Sequence, residues 1–320
     1  MDGLLIDYSK CIGSGSVAQV YRGTVRERAV AVKVLHPGVR MAVDVDLALL
    51  RFGVSVVTTV FPSLRYLDFP AGLAQFSKEV RSQLDLSLEA ANLVRFRALF
   101  KDDPEVTFPE PLFVTRDVLV MEFVPGQLLT SLLQEEATSP EEAAFRKSLA
   151  TAGMNAFFRM LKNNLVHGDL HAGNIIVSRE PGWPHVHLID VGIVVQLLPH
   201  QRDNFWALFS ALVMRDGERA ATEMMTRGGA VPGVTDEAGF KREMAEIFRN
   251  LPLSFRSAPL ANALVAVLDA ARRNRVQLDS TFVTLISSCI VLEGTGRKLN
   301  PDLSLFQLAV NMLKESRRHT

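Results

Sequence analysis

The segment His167–Asn174 reads HGDLHAGN, and Leu188–Gly192 reads LIDVG. Three side chains in these stretches offer hard oxygen atoms: Asp169, Asn174 and Asp190. In a loop, a carboxylate such as Asp169 can orient or deprotonate an attacking hydroxyl, or position water. Asn174 can present an amide oxygen, and Asp190, at a strand end before Gly192, a carboxylate, to a single Mg²⁺ ion. That ion keeps several waters and shares phosphate oxygens, so one Asn and one Asp suffice when ATP brings the rest. A zinc reading would use His167, His171, His185 and His187. Paired zinc histidines typically sit on a helix, whereas Gly168 and Gly173 make this stretch a loop. His167 therefore reads as a brace for the loop, and His185 and His187 as strand surface.

Upstream, Gly13-Ser14-Gly15-Ser16-Val17-Ala18-Gln19-Val20 joins two β-like runs. Glycines let such a turn approach phosphates closely and present backbone N–H groups to them, which makes Gly13, Ser14, Gly15, Ser16, Val17, Ala18 and Val20 nucleotide-binding candidates. A plain hairpin turn explains GSG as well. Lys33 lies inside the apolar run AVAVKVL and points opposite to Val32 and Val34 on an alternating strand. A buried ammonium there needs a partner; at an edge it could instead snorkel to water. Glu89, on the helix expected over LDLSLEAANL, is the candidate partner, with a solvated helix charge as the alternative. Glu122 and Val124, in VMEFVPG, end a strand whose backbone suits an adenine edge, although a strand closing on a Pro-Gly turn reads almost the same.

The elements that would position these groups follow from periodicity. Leu4–Ser9, Val17–Arg22 and Ala29–Leu35 read as strands joined by hairpins, and Leu112–Thr115 and Val118–Phe123 as two more. Between them, VDVDLALLRF, LAQFSKEV and LEAANLVRF repeat apolar residues at helical spacing, with a break at Phe61–Pro62. Ser139-Pro140-Glu141-Glu142 is a capping box with proline at the first helical position, opening a helix to about Lys162. IIVS and VHLIDVG form a strand pair around Pro181–Pro184, and helices fill the rest. The expected fold is α+β and two-lobed: residues 1–124 a small sheet-containing lobe with inserted helices, residues 125–320 a larger helical lobe, together one kinase-like domain.

Charge excludes some partners. Lys+Arg and Asp+Glu balance at 35 each, which argues for no nucleic-acid partner. The two cysteines, Cys11 and Cys289, support neither a disulfide framework nor a metal site. MDGLLIDYSK has no signal or presequence pattern, and the apolar run Phe52–Phe61 is about half the ~20 residues a spanning helix needs. The glycine motif comes almost at once, so upstream residues are expected in a longer form.

Taken in order, GSGSVAQVYRG, VAVKVLHPGV, LDLSLEAANLVRF, HGDLHAGN, LIDVG and EGTGRKLNPDLSL resemble the UbiB, or AarF-domain, family of atypical kinase-like proteins. The resemblance implies a kinase-like fold with ATP and Mg²⁺ as ligands and ATPase or kinase activity. It also implies support of coenzyme Q (ubiquinone) or lipid metabolism, a mitochondrial inner-membrane location, and lipid or quinone intermediates and biosynthetic enzymes at a membrane surface as partners. Lys33, Glu89, Asp169, Asn174 and Asp190 match its nucleotide and metal positions. Several letters depart from it: Gly13 and Gly15 replace an alanine-rich loop, Gln83-Leu84-Asp85 replaces E-x-D, and Val191 stands at the D-F-G phenylalanine. The upstream K-x-G-Q segment is not among these residues. His171 replaces the lysine usual in protein kinases, and nothing after Asp190 resembles an activation segment ending in A-P-E, so a peptide-docking platform is not expected. Two other readings share the loop letters: a small-molecule phosphotransferase of the aminoglycoside or choline kinase type, and a nucleotide-binding pseudokinase scaffold.

Overall fold

Alternation along the first three strands builds an antiparallel sheet with both faces in use. A computed structural model describes residues 3–60, 69–180, 185–226, 234–251, 260–304, 306–307 and 310. Strands β1 (Leu4–Ser14), β2 (Ala18–Val25) and β3 (Arg28–Leu35) are consecutive hairpins. The β2–β3 turn places Arg26 and Glu27 at φ 47° and 66°, the left-handed pair that matches the twist of a two-residue hairpin. Helices α1 (Val39–Val60), α2 (Phe69–Ser82) and α3 (Leu86–Leu99) follow. Then come β4 (Val106–Thr107), β5 (Pro111–Val114) and β6 (Val118–Glu122). The five-stranded order is β1-β2-β3-β6-β5. Val30, Val32 and Val120 are fully buried on one face, packed by Leu4, Ile6, Val25 and Val118. The opposite face of β3 carries Ala31, Lys33 and Leu35.

CIGSGS is not a separate linker. Two irregularities in β1 restore pairing after Cys11, so Gly13 faces Val20 and Ser14 faces Gln19, and β1 runs on to Ser14.

Beyond β7 (Gln127–Leu128) lie α4 (Leu129–Leu132), α5 (Pro140–Lys162) and β8 (Leu165–His167). A 3₁₀ turn at Ala172–Asn174 leads into β9 (Ile175–Val177), β10 (Val186–Leu188) and β11 (Val194–Gln196). Among the described residues five helices follow: α6 (Pro199–Met214), α7 (Gly217–Met224), α8 (Glu237–Arg249), α9 (Leu260–Arg273) and α10 (Ser280–Leu299). Leu197 and Leu198 alone separate β11 from α6. The Pro181–Pro184 turn and the Phe61–Pro62 break lie outside the described residues.

Two compact units divide the chain: residues 1–127 with 174–193, and residues 128–173 with 194–320. Sequence order alone assigned Asn174–Ile193 to the helical half. It packs with the first unit because β10 pairs in parallel with β4 and antiparallel with β9. The expectation for His187 is corrected: β10 is an inner strand paired on both edges, all three of its residues are buried, and His187 is fully buried. His185, one pleat before, stays exposed.

In the second unit, Ser139 caps α5 by accepting the Glu142 N–H at 3.2 Å, and Glu142 in turn receives Arg146 at 2.9 Å. Helix α5 buries Phe157, Phe158, Met160 and Leu161 along its last turns. Glu293, fully buried on α10, accepts the leading N–H groups of α9, Leu260 at 3.0 Å and Ala261 at 2.6 Å. It does from another helix what a local cap usually does. Glu293→Ala leaves those two donors buried without that carboxylate and should cost about 3 kcal/mol, read as a lower denaturation midpoint, with Glu293→Gln retaining part of the difference.

Candidate functional site

Within the first unit, β3 and α3 bring a charged cluster together. The Lys33 ammonium donates to Glu89 Oε1 and Oε2, both at 2.8 Å, and to Asp190 Oδ2 at 2.9 Å. The Lys33 and Glu89 side chains are 10% and 5% exposed, whereas Asp190 is 41% exposed. Asp85 fixes the start of α3 by accepting from Ser87 N, which puts Glu89 in the favourable first turn of the helix. The single carboxylate remaining from the E-x-D pattern thus serves as a helix cap.

Burial pushes Glu89 up to about 7; the Asp190 charge adds to this and Lys33 opposes it. Burial pulls Lys33 down, but its two carboxylate partners outweigh that and hold it above its ordinary value. The cluster sets two carboxylates, the buried Glu89 and the partly exposed Asp190, around one ammonium.

Asp190 lies in a tightly bonded turn. Its Oδ1 accepts the Gly192 N–H at 3.0 Å, and the neighbouring Ile189 N–H donates to the Asn174 carbonyl oxygen at 3.0 Å. The backbone of the fully buried Val191 helps to lower Glu89, and its carbonyl oxygen accepts from Asn92 Nδ2 at 3.0 Å.

Register places the glycine motif in line with the lysine. Gly13, Val20, Lys33 and Leu119 are successive partners across β1, β2, β3 and β6, so their side chains or Cα atoms share one face. The turn is closed by Gly15 N–H donating to Ala18 O at 2.9 Å, leaving Ser16 and Val17 at its tip. His36 holds it from behind: its N–H donates to Val17 O at 2.9 Å, and its Nε2 lies 3.0 Å from Gly15 O. A carbonyl oxygen only accepts, so Nε2 carries the hydrogen. A Cβ on Gly13 or Gly15 would meet nothing closer than 3.8 Å. The fold itself therefore does not demand glycine at either position.

The Glu122 side chain is committed locally, to Arg28 at 2.9 Å and to the Glu110 N–H at 3.3 Å, and its own N–H donates to Glu110 O at 2.9 Å. Val124 is buried. Gly126, at φ 139°, is needed: a Cβ there would fall against the Val177 carbonyl oxygen.

In the second unit, Asp169 follows β8 and its carboxylate is half-exposed. The buried His167 ring accepts the Asp169 N–H through Nδ1 at 3.1 Å. His171 accepts the Gly173 N–H through Nδ1 at 3.0 Å, which directs Nε2 toward Asp169 Oδ2, 3.6 Å away. Gly173 packs so closely on that ring that a Cβ would lie 2.8 Å from it. The histidines are scaffolding for the aspartate. Among the described residues, no group of three His, Cys, Asp or Glu side chains is placed to hold a metal.

A family model described as the ABC1 atypical kinase-like domain matches residues 7–224. The chain belongs to the ABC1, or UbiB, family. Among its relatives, a mitochondrial ABC1 family protein of Saccharomyces cerevisiae is 28% identical, covering 95% of this chain and 56% of the relative. A protein of Vibrio vulnificus named probable protein kinase UbiB is 31% identical, covering 95% of this chain and 56% of the relative. The chain thus spans little more than half the length of the curated relatives it matches. The fold is shared with Rv3197 of Mycobacterium tuberculosis, solved as a complex with erythromycin, at TM-score 0.64 and 18% identity over 92% of this chain and 74% of that one.

In this ABC1-family chain, two features escaped the sequence reading. One is the direct Lys33–Asp190 contact. The other is Asn92, whose signal was its position three residues after Glu89 on one helix face. Asp190, a partly exposed carboxylate, and the amide of Asn174, in the same unit, are hard oxygen donors of the type that Mg²⁺ takes.

The Glu89 environment sets a pH dependence. An acid raised from 4.5 to about 7 on folding adds stability that is full below about 4.5 and lost as pH rises through 7. Stability of the wild type minus that of Glu89→Gln should therefore fall between pH 5 and 7.5, by at most about 1.4 kcal/mol per pH unit. Denaturant titrations of both proteins across that range provide the measurement.

Proposed function

We propose that this chain binds ATP with Mg²⁺ and acts as an ATPase or phosphotransferase of the atypical kinase type. The observation that carries the reading is the buried Lys33 ammonium held between Glu89 and Asp190. Such a cation, desolvated and pre-oriented on a rigid strand, is suited to nucleotide phosphates. Asp190 and Asn174 are the assigned Mg²⁺ ligands; the ion, when bound, would neutralise phosphate charge. The turn from Gly13 to Ala18 lies one strand from Lys33 and supplies backbone N–H groups, and the backbone at Glu122 and Val124 is the assigned adenine edge. Asp169, five residues before Asn174 in the chain, is assigned to orient or deprotonate the acceptor hydroxyl or water.

The physiological role we assign is support of coenzyme Q or mitochondrial lipid metabolism, with lipid or quinone intermediates and biosynthetic enzymes at a membrane surface as partners. Two yeast relatives named as mitochondrial support the location. The absence of a segment between β11 and α6 on which a peptide could be laid out argues for an acceptor other than protein.

A thermal shift with ATP and Mg²⁺, followed by phosphate release, tests this. The wild type should be stabilised only when both are present. Lys33→Ala and Asp190→Asn should each weaken binding by tenfold or more. No Mg²⁺-dependent shift in the wild type rejects the nucleotide site. A shift without phosphate release, even with lipid vesicles added, rejects turnover in favour of a nucleotide-stabilised scaffold.

A further inference from the structure

The turn that carries Asp190 is held from one helix. Glu89 and Asn92 stand three residues apart on α3 and so share a face. Glu89 bonds Lys33, and Asn92 Nδ2 donates to the Val191 carbonyl oxygen at 3.0 Å. Val191 has no exposed surface, so water is not at hand to replace that bond. The bond holds the peptide plane between Val191 and Gly192, and the Gly192 N–H in that plane donates to Asp190 Oδ1 at 3.0 Å. Asn92 thus lies one peptide plane from the contact that orients the Asp190 carboxylate, 98 residues away in sequence.

We propose that Asn92 is a positioning residue for the cation-binding carboxylate, and that it ties the placement of Asp190 to that of α3. Glu89 bonds Lys33, whereas Asn92 bonds the turn directly. Movement of α3 thus carries Asp190 with it, and Lys33, bonded to both carboxylates, follows. This rests on the reading that Asp190 takes Mg²⁺ with ATP.

The test uses the full chain and two variants. Asn92→Leu keeps the branched outline and removes the donor; Asn92→Gln keeps the amide on a longer arm. Thermal shift is recorded with ATP alone and then against rising Mg²⁺ at fixed ATP. In Asn92→Leu the half-saturating Mg²⁺ should rise about tenfold while any shift with ATP alone is unchanged, and Asn92→Gln should fall between that variant and the wild type. A purely structural role would lower the ligand-free melting temperature without moving the Mg²⁺ midpoint, and that result overturns the proposal. If Asn92→Leu fails to fold, Asn92→Gln decides: a midpoint equal to wild type overturns the proposal, and a raised one supports it. Failure of the wild type to respond to Mg²⁺ at all would instead reject the underlying site, a distinguishable outcome.

Discussion

An ammonium taken out of water costs several kcal/mol unless charges and hydrogen bonds replace the hydration it loses. Lys33 meets that constraint with three bonds to two carboxylates drawn from two distant parts of the chain. Much of the first unit serves this arrangement. The buried Val30–Val32–Val120 face fixes the tilt of β3 and so the direction of Lys33. The Asp85 cap and the stacking of Phe96 on Phe108, centroids 4.9 Å apart, set where α3 holds Glu89. The β4-β10-β9 pairing delivers the Asp190 turn to the same place.

Two carboxylates share one ammonium: burial raises Glu89, the Asp190 charge adds to this, and Lys33 is held above its ordinary value. The buried Lys33–Glu89 pair is not explained by stability, which apolar residues of similar volume often serve as well. A strongly perturbed carboxylate beside a buried ammonium is the mark of a candidate functional site.

Several elements were legible before any fold was known because their causes are local. Ser139, Pro140 and Glu142 specify the start of α5 through bonds within one turn, and the helix runs to Lys162 as the spacing implies. Alternation placed Lys33 on the face opposite Val32. The D-x₄-N and D-V-G letters fall in loops and one 3₁₀ turn for the same reason, since glycines at 168, 173 and 192 disfavour longer helix or strand there. The His187 expectation failed for the opposite reason. The pairing of β9 with β10 was expected, but the parallel pairing of β4 on the other edge, with the packing that buries both faces, is not identifiable from the letters of β10.

By itself, the sequence determined the repertoire: an ammonium in an apolar strand, a flexible turn upstream, a helix bearing Glu89, and oxygen-bearing loops in a fixed order. Those features depend on side-chain chemistry and on neighbours within a few residues. Only the tertiary structure decided that Lys33 reaches Asp190 as well as Glu89, that Asn174–Ile193 packs with the first unit, and that Asn92 holds the Val191 carbonyl. Each of these depends on contacts between segments from ~50 to ~150 residues apart. Such contacts are set by strand pairing and the packing of whole elements, which no local pattern encodes.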